Sequence, residues 1–195
     1  MKISISTLIL AAGESKRMGK SKLLLPYQNT TIIENVIKNS LSSRSDKTVM
    51  VLGAYRKKIL PLIKDLPLST VYNPDYKQGM LSSIQCGLRS LPLNTQAVII
   101  VLSDQPGIPG QVIDLLIENF HRTKKGIILP TYRQKRGHPI LIDFKYRDEI
   151  LNLSPDIGLR ALVHNHSDDI LEVPVDYPNI LKDIDTPDDY KNTRH

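Results

Sequence analysis

Apolar positions along the chain alternate between two kinds of block. Short runs dominated by Ile, Leu and Val at 5–11, 47–52, 68–72, 97–102 and 126–129 predict buried strands. Between them, apolar residues recur three or four positions apart. Ile32, Ile33, Val36, Ile37 and Leu41 predict a helix over 31–41, and Met80, Ile84 and Leu88 mark one face of a helix over 79–91. Further helices are predicted over 57–63, despite Pro61, and over 112–120. Strand and helix thus alternate, as expected of a mostly parallel α/β sheet with helices on both faces. After Pro130 the regularity weakens. Segments 138–142, 157–164 and 170–175 suggest an inserted hairpin and helix before a closing segment at 183–190. No repeat, low-complexity tract or linker divides the chain, so residues 1–195 are read as one domain.

In such a sheet, ligands bind beyond the carboxyl ends of the strands. Two segments fall there: 11–22 after the first strand, and Ser103-Asp104-Gln105-Pro106 after the strand at 97–102.

Charge sharpens this picture. The formal net charge is +6, from 26 Lys and Arg against 20 Asp and Glu. Residues 1–22 carry Lys2, Lys16, Arg17, Lys20 and Lys22 against Glu14. Residues 122–136 carry six cations and no acid, whereas 168–189 carry eight carboxylates against Lys182. A basic nucleic-acid-binding module is one reading. The acidic segment, two Phe and no Trp speak against it, since unpaired bases need aromatic platforms. The single Cys86 cannot form an internal disulfide and suits a reducing compartment; inside a helix it reads as a small buried hydrophobe. His164-Asn165-His166 lacks a third ligand at zinc-like spacing. No apolar run reaches a bilayer's thickness. The N-terminal apolar stretch is too short for a signal peptide and runs into Glu14, Lys16 and Arg17, so a cytoplasmic protein is expected.

The loop Leu10-Ala11-Ala12-Gly13-Glu14-Ser15-Lys16-Arg17-Met18-Gly19-Lys20-Ser21-Lys22 combines small residues with four cations, as a loop wrapping a nucleoside triphosphate would. It fails the Walker spacing, because five residues separate Gly13 from Gly19, and it contains no G-x-G-x-x-G. A P-loop ATPase is therefore disfavoured.

This loop resembles the Leu-Ala-Ala-Gly-x-Ser-x-Arg-Met-Gly-x-x-Lys signature of nucleotidyltransferases with a glycosyltransferase-A-like, Rossmann-like three-layer fold. The branch it looks most like is the molybdenum cofactor cytidylyltransferases. The likeness continues through Asn73-Pro74-Asp75-Tyr76-Lys77-Gln78-Gly79-Met80-Leu81-Ser82-Ser83, Ser103-Asp104-Gln105-Pro106, Arg136-Gly137-His138-Pro139 and Asp183-Ile184-Asp185-Thr186-Pro187. The resemblance implies transfer of CMP from CTP to the terminal phosphate of the molybdenum cofactor (molybdopterin), with pyrophosphate leaving. It assigns Arg17 and Lys22 to the triphosphate, and Leu10, Ala11, Ala12, Gly13, Gly79, Ser82 and Ser83 to the nucleotide. Ser82 or Ser83 equally suits a helix cap.

Magnesium is the expected metal, held by Asp104 and by Asp185 or Asp183, which strand alternation would turn to one side. His138 is a candidate for the acceptor pocket or a structural hydrogen-bonder. Ala11-Ala12 favours CTP over GTP, since guanylyl-transferring relatives carry Gly-Gly there. Ser103 stands where relatives usually have Gly. Molybdenum hydroxylases or their maturation factors are implied as downstream partners; no nucleic acid or membrane is expected. A sugar or polyol phosphate acceptor would use the same residues.

Overall fold

The computed structural model describes residues 4–154 and 157–193; Lys2, one of the five cations of residues 1–22, lies outside them. Among the described residues ten strands follow one another: β1 (Ser4–Ala11), β2 (Pro26–Tyr27), β3 (Thr30–Thr31), β4 (Lys47–Leu52), β5 (Ser69–Tyr72), β6 (Thr95–Leu102), β7 (Ile127–Tyr132), β8 (Lys135–Arg136), β9 (Ile140–Asp143) and β10 (Ile170–Pro174). Seven helices accompany them: α1 (Ile32–Leu41), α2 (Arg56–Ile63), α3 (Met80–Ser90), α4 (Gly110–Arg122), α5 (Arg147–Asn152), α6 (Arg160–Asn165) and α7 (Pro187–Lys191).

The main sheet runs β10-β7-β9-β6-β1-β4-β5. Parallel pairing joins β1 to β4 and β6, β4 to β5, and β10 to β7. In place of the expected inserted hairpin, the segment at 138–142 supplies β9, which runs antiparallel between β6 and β7, and the segment at 170–175 supplies β10, which pairs parallel with β7. The insertion of β9 makes the sheet mixed but mostly parallel, as the sequence reading expects. Strand alternation along β1 divides the core. Ile5, Ile9 and Ala11 face one layer with α1, α2 and α4 residues such as Val36, Ile59 and Leu116; Leu8 and Leu10 face the other, with Leu81, Ile84 and Leu88 of α3.

Differences from the periodicity have local causes. The β2–β3 ribbon and β8 are two residues long, too short to leave a repeat. The predicted 157–164 helix is a helix only from Arg160. Helix α1 starts where expected because Thr31 and Glu34 form a capping box. Among the described residues, no helix is long and apolar enough to cross a membrane. The basic run 122–136 is split across the two ends of β7. Part of it meets the acidic segment: Arg136 pairs with Glu172 at 2.7 Å, and Lys125 Nζ donates to the Asp168 carbonyl.

Candidate active site

The carboxyl ends of β1 and β6 lie side by side, Leu10 opposite Leu102. Beyond them opens a cleft of about 470 Å³, walled by the loop after β1, the Ser103–Asp104 turn, the start of α3 and the segment around Asp183 and Asp185. The loop after β1 is braced from the next strand connection. Ala54 N donates to the Ala12 carbonyl at 3.1 Å, and Tyr55 Oη to the Glu14 carbonyl at 2.9 Å. Ser15 takes a left-handed turn, and its Oγ accepts from Lys22 N at 3.3 Å. Leu23 and Leu25 are buried, which anchors the chain on either side of Leu24 and holds Lys22 at the cleft.

Four charged side chains then meet. Lys22 Nζ lies 2.6 Å from Asp104 Oδ2 and 2.7 Å from Asp185 Oδ1, while Arg17 Nη2 reaches Asp185 Oδ2 at 2.8 Å. The cluster joins three distant parts of the sequence. Asp104 is fixed by the end of β6. Asp185 is fixed by α7, whose Thr186–Asp189 capping box also takes Asp185 N onto Asp189 Oδ2 at 3.1 Å. Burial pulls the Lys22 ammonium down, but the two carboxylates outweigh it and hold its pKa above the ordinary lysine value. Burial likewise pushes Asp185 up; Lys22 and Arg17 reverse the balance and hold it below the usual carboxylate range.

Asp183 and Asp185 both line the cleft, although no strand carries them. Ile184 between them is buried, and its N–H donates to the Asp104 carbonyl at 3.0 Å, so alternation persists in an unpaired extended segment. The two carboxylates are not equivalent. Asp183 Oδ1 accepts from Gln105 Nε2 at 2.6 Å, and burial, followed by the charge of Asp104, raises its pKa. Only Asp185 converges with Asp104 on the same ammonium.

Of the residues assigned to the nucleotide, Leu10, Ala12, Gly13, Gly79 and Ser83 line the cleft. The Ala11 side chain packs into the core. Ser82 is not brought to the wall: its Oγ donates toward the carbonyls of Gly79 and Asp75, at 2.8 and 3.0 Å, and accepts from Asn73 Nδ2. Its hydroxyl closes the turn before α3, and no side chain caps that helix. Ser83 Oγ accepts from the same Asn73 amide at 3.0 Å, leaving its own O–H to donate. His138 does not line the cleft. Its backbone N–H donates to the Ile180 carbonyl, and burial lowers its pKa, opposed in part by Asp104.

Three wall residues escape the sequence reading. Met80 has the spacing of a core residue, yet it is 54% exposed and lines the cleft, as does Tyr76. Ser103 is more than a tolerated replacement for Gly: its buried Oγ donates to the Leu10 carbonyl at 2.6 Å and ties the two strand ends together. The signal for Tyr76 and for Met80 alike is their place within the Asn73–Ser83 motif, which the helical spacing of Met80 masks.

The donor set suits a hard divalent cation. The oxygens of Asp104 and Asp185 already converge on one cationic atom. Among the described residues, no group of three or more His, Cys, Asp or Glu could hold a metal. Two carboxylates completed by substrate phosphates is the mode magnesium commonly uses.

A mostly parallel sheet with cations and carboxylates gathered beyond its central strands defines an enzyme of the nucleotidyltransferase class. The chain belongs to the MobA-like NTP transferase domain family, whose model matches residues 7–171. It is 31% identical over 191 residues to the molybdenum cofactor cytidylyltransferase of Escherichia coli, covering 96% of this chain and 94% of the relative. It is 30% identical over 168 residues to the nicotine blue oxidoreductase of Paenarthrobacter nicotinovorans, covering 82% and 81%. A probable molybdenum cofactor guanylyltransferase of Mycobacterium ulcerans is 26% identical over 66% of this chain and 62% of its own. The crystal structure of Rv0371c from Mycobacterium tuberculosis superposes with a TM-score of 0.89 at 26% identity, covering 99% of this chain and 98% of that one.

Proposed function

We propose that this enzyme transfers CMP from CTP to the terminal phosphate of the molybdenum cofactor, forming the cytosine dinucleotide and releasing pyrophosphate. The observation that carries the reading is the convergence of Arg17, Lys22, Asp104 and Asp185 in a cleft that Gly79, Met80 and Ser83 also line. A phosphate oxygen of the acceptor attacks the α-phosphorus of CTP. The new P–O bond forms as the bond to the β-phosphate oxygen breaks, and the electron pair leaves with pyrophosphate. Because the attacking oxygen is already anionic, no side chain has to remove a proton from it.

The protein's work is to hold two polyanions together and to meet the charge that develops between them. Arg17 supplies a forked guanidinium for phosphate oxygens, and Lys22 a mobile point charge. Asp104 and Asp185 would hold magnesium, which when bound neutralises phosphate charge. The braced backbone from Leu10 to Gly13 and the Ser83 hydroxyl orient the nucleotide, and Tyr76 and Met80 add apolar surface over it.

Cytidylyl over guanylyl transfer rests on Ala11-Ala12 and on the cytidylyltransferase relative. Molybdenum hydroxylases or their maturation factors would receive the product, inside the cell. The experiment is pyrophosphate release with Mg²⁺ and each of the four ribonucleoside triphosphates in turn, with molybdenum cofactor or a sugar or polyol phosphate as acceptor. Release with CTP alone supports the reading. Release with GTP instead overturns the base, and release only with a sugar or polyol phosphate overturns the acceptor.

A further inference from the structure

Lys22 occupies a position that its assignment to the triphosphate leaves unexplained. Its ammonium lies between Asp104 Oδ2 and Asp185 Oδ1, at 2.6 and 2.7 Å, with the side chain only 12% exposed. Arg17 uses the other oxygen of Asp185 and is 68% exposed. The two cations therefore do different things: Arg17 sits at the rim, and Lys22 is clasped inside.

A divalent cation held by the same two carboxylate oxygens would stand about 2.0–2.1 Å from each. It would fall well within contact distance of the Lys22 ammonium, and two such cations do not share one gap. Metal capture by Asp104 and Asp185 thus requires Lys22 to leave. Once released, the ammonium needs a new anion, and it stands in the cleft beside the glycine-bearing loop. The converse also holds. A triphosphate that draws Lys22 away by itself strips Asp104 of its ammonium and leaves Asp185 to Arg17, beside an incoming polyanion.

Accordingly, we propose that Lys22 is a displaceable counter-cation, exchanged from the Asp104–Asp185 pair onto phosphate, so that the species the cleft takes up is the metal–nucleotide complex and not either component alone. The inference rests on the reading of Asp104 and Asp185 as the cation-holding pair. It adds that their lysine partner opposes metal entry until phosphate arrives.

The test is Mn²⁺ binding to the full chain without nucleotide, read from the loss of the free-ion electron paramagnetic resonance signal. Lys22→Met should bind Mn²⁺ about tenfold more tightly than the unsubstituted chain, within the usual span of coupling between sites. Adding Asp104→Asn to that variant should remove the gain. An affinity within twofold of the unsubstituted chain overturns the proposal, as does no detectable Mn²⁺ binding by either. A second measurement needs no substitution. Lys22 should acetylate slowly with an amine-reactive ester, as read by peptide mass spectrometry, and several-fold faster only when Mn²⁺ is raised to saturation, where the metal occupies the carboxylates and drives the ammonium out; an unchanged rate at saturation overturns the proposal. Failure of the cytidylyl reading is seen separately, in pyrophosphate release. A chain that releases none but still gains Mn²⁺ affinity through Lys22→Met keeps the counter-cation and loses the reaction.

Discussion

Gly79 precedes α3 with φ 98° and ψ −176°, a region that only glycine populates freely. A Cβ built there meets nothing within 4 Å, so replacing Gly79 by alanine changes torsional energy without adding a clash. Such a strained conformation costs about 1–3 kcal/mol. Alanine also restricts the unfolded chain and returns about 0.4–1 kcal/mol. The expected net loss is about 1–2 kcal/mol, or a fall in Tm of roughly 2–8 °C for a chain of this size. Urea unfolding followed by far-ultraviolet circular dichroism measures it. Asparagine should not rescue, because its tolerance is for the left-handed helical region, where ψ is near +45°. Gly19, at φ 63° and ψ −2° with equally open surroundings, lies close to that region. Gly19→Asn should therefore cost less than about 1 kcal/mol. A Gly79→Ala chain that matches the unsubstituted one within error, or a Gly79→Asn chain that is clearly the more stable of the two, would show that no strain is stored at this position. Because Gly79 lines the cleft and its carbonyl accepts from Ser82, relaxation of the strain should also raise KM for the nucleotide.

Other sites give equally direct expectations. Asp104→Asn should reduce turnover by on the order of 100-fold or more while the circular dichroism spectrum stays unchanged; near-normal turnover would remove it from the cation-holding pair. Ser103→Ala deletes the donor to the Leu10 carbonyl and should cost about 1–2 kcal/mol in urea unfolding, with Ser103→Gly no better. Away from the cleft, Tyr146 donates to Asp169, which also pairs with Lys145 at 2.8 Å. Burial pushes the Asp169 carboxyl up, but Lys145 and Tyr146 pull it below its ordinary value. Its contribution is thus full above about pH 4 and lost as pH falls through the lowered pKa. Burial and then the Asp169 bond push the Tyr146 phenol upward, so its contribution is lost as pH rises above about 10. Thermal melts across pH should flatten on the acid side in Asp169→Asn and on the alkaline side in Tyr146→Phe; unchanged profiles would sink this assignment.

The sheet and its helices were legible because burial on both faces leaves long aliphatic runs, as at 97–102, and because α1 carries its own capping box. The loop after β1 and Asp104 were legible for a topological reason: chemistry in this kind of sheet collects where strands end. What could not be read was which of two neighbouring groups faces the cleft. Ser82 and Ser83 are adjacent on a helix, and Asn73, nine and ten residues earlier, holds both hydroxyls while only Ser83 reaches the wall. Asp183 and Asp185 are separated in role by Gln105 and Lys22, partners 78 and 163 residues away. Met80 has the periodicity of a core residue, but the helix begins at the cleft rim, and spacing cannot register where a helix meets solvent.

The Lys22 clasp also bears on how the protein acquires activity during folding. Lys22 meets partners 82 and 163 residues along the chain, and Arg17 one 168 residues along. Contacts of such sequence separation close large loops, and they form late relative to local helices and hairpins. During synthesis the loop after β1 and the turn after β6 emerge and can pair well before the segment bearing Asp185 exists. That segment is moored by the Ile184 bond to Asp104 and by Tyr190, whose hydroxyl donates to the Pro26 carbonyl at 2.7 Å. A refolding chain should therefore regain its far-ultraviolet signal before its nucleotide affinity. A nascent chain halted before residue 185 would carry every described strand of the sheet and lack one of the two carboxylates that clasp Lys22.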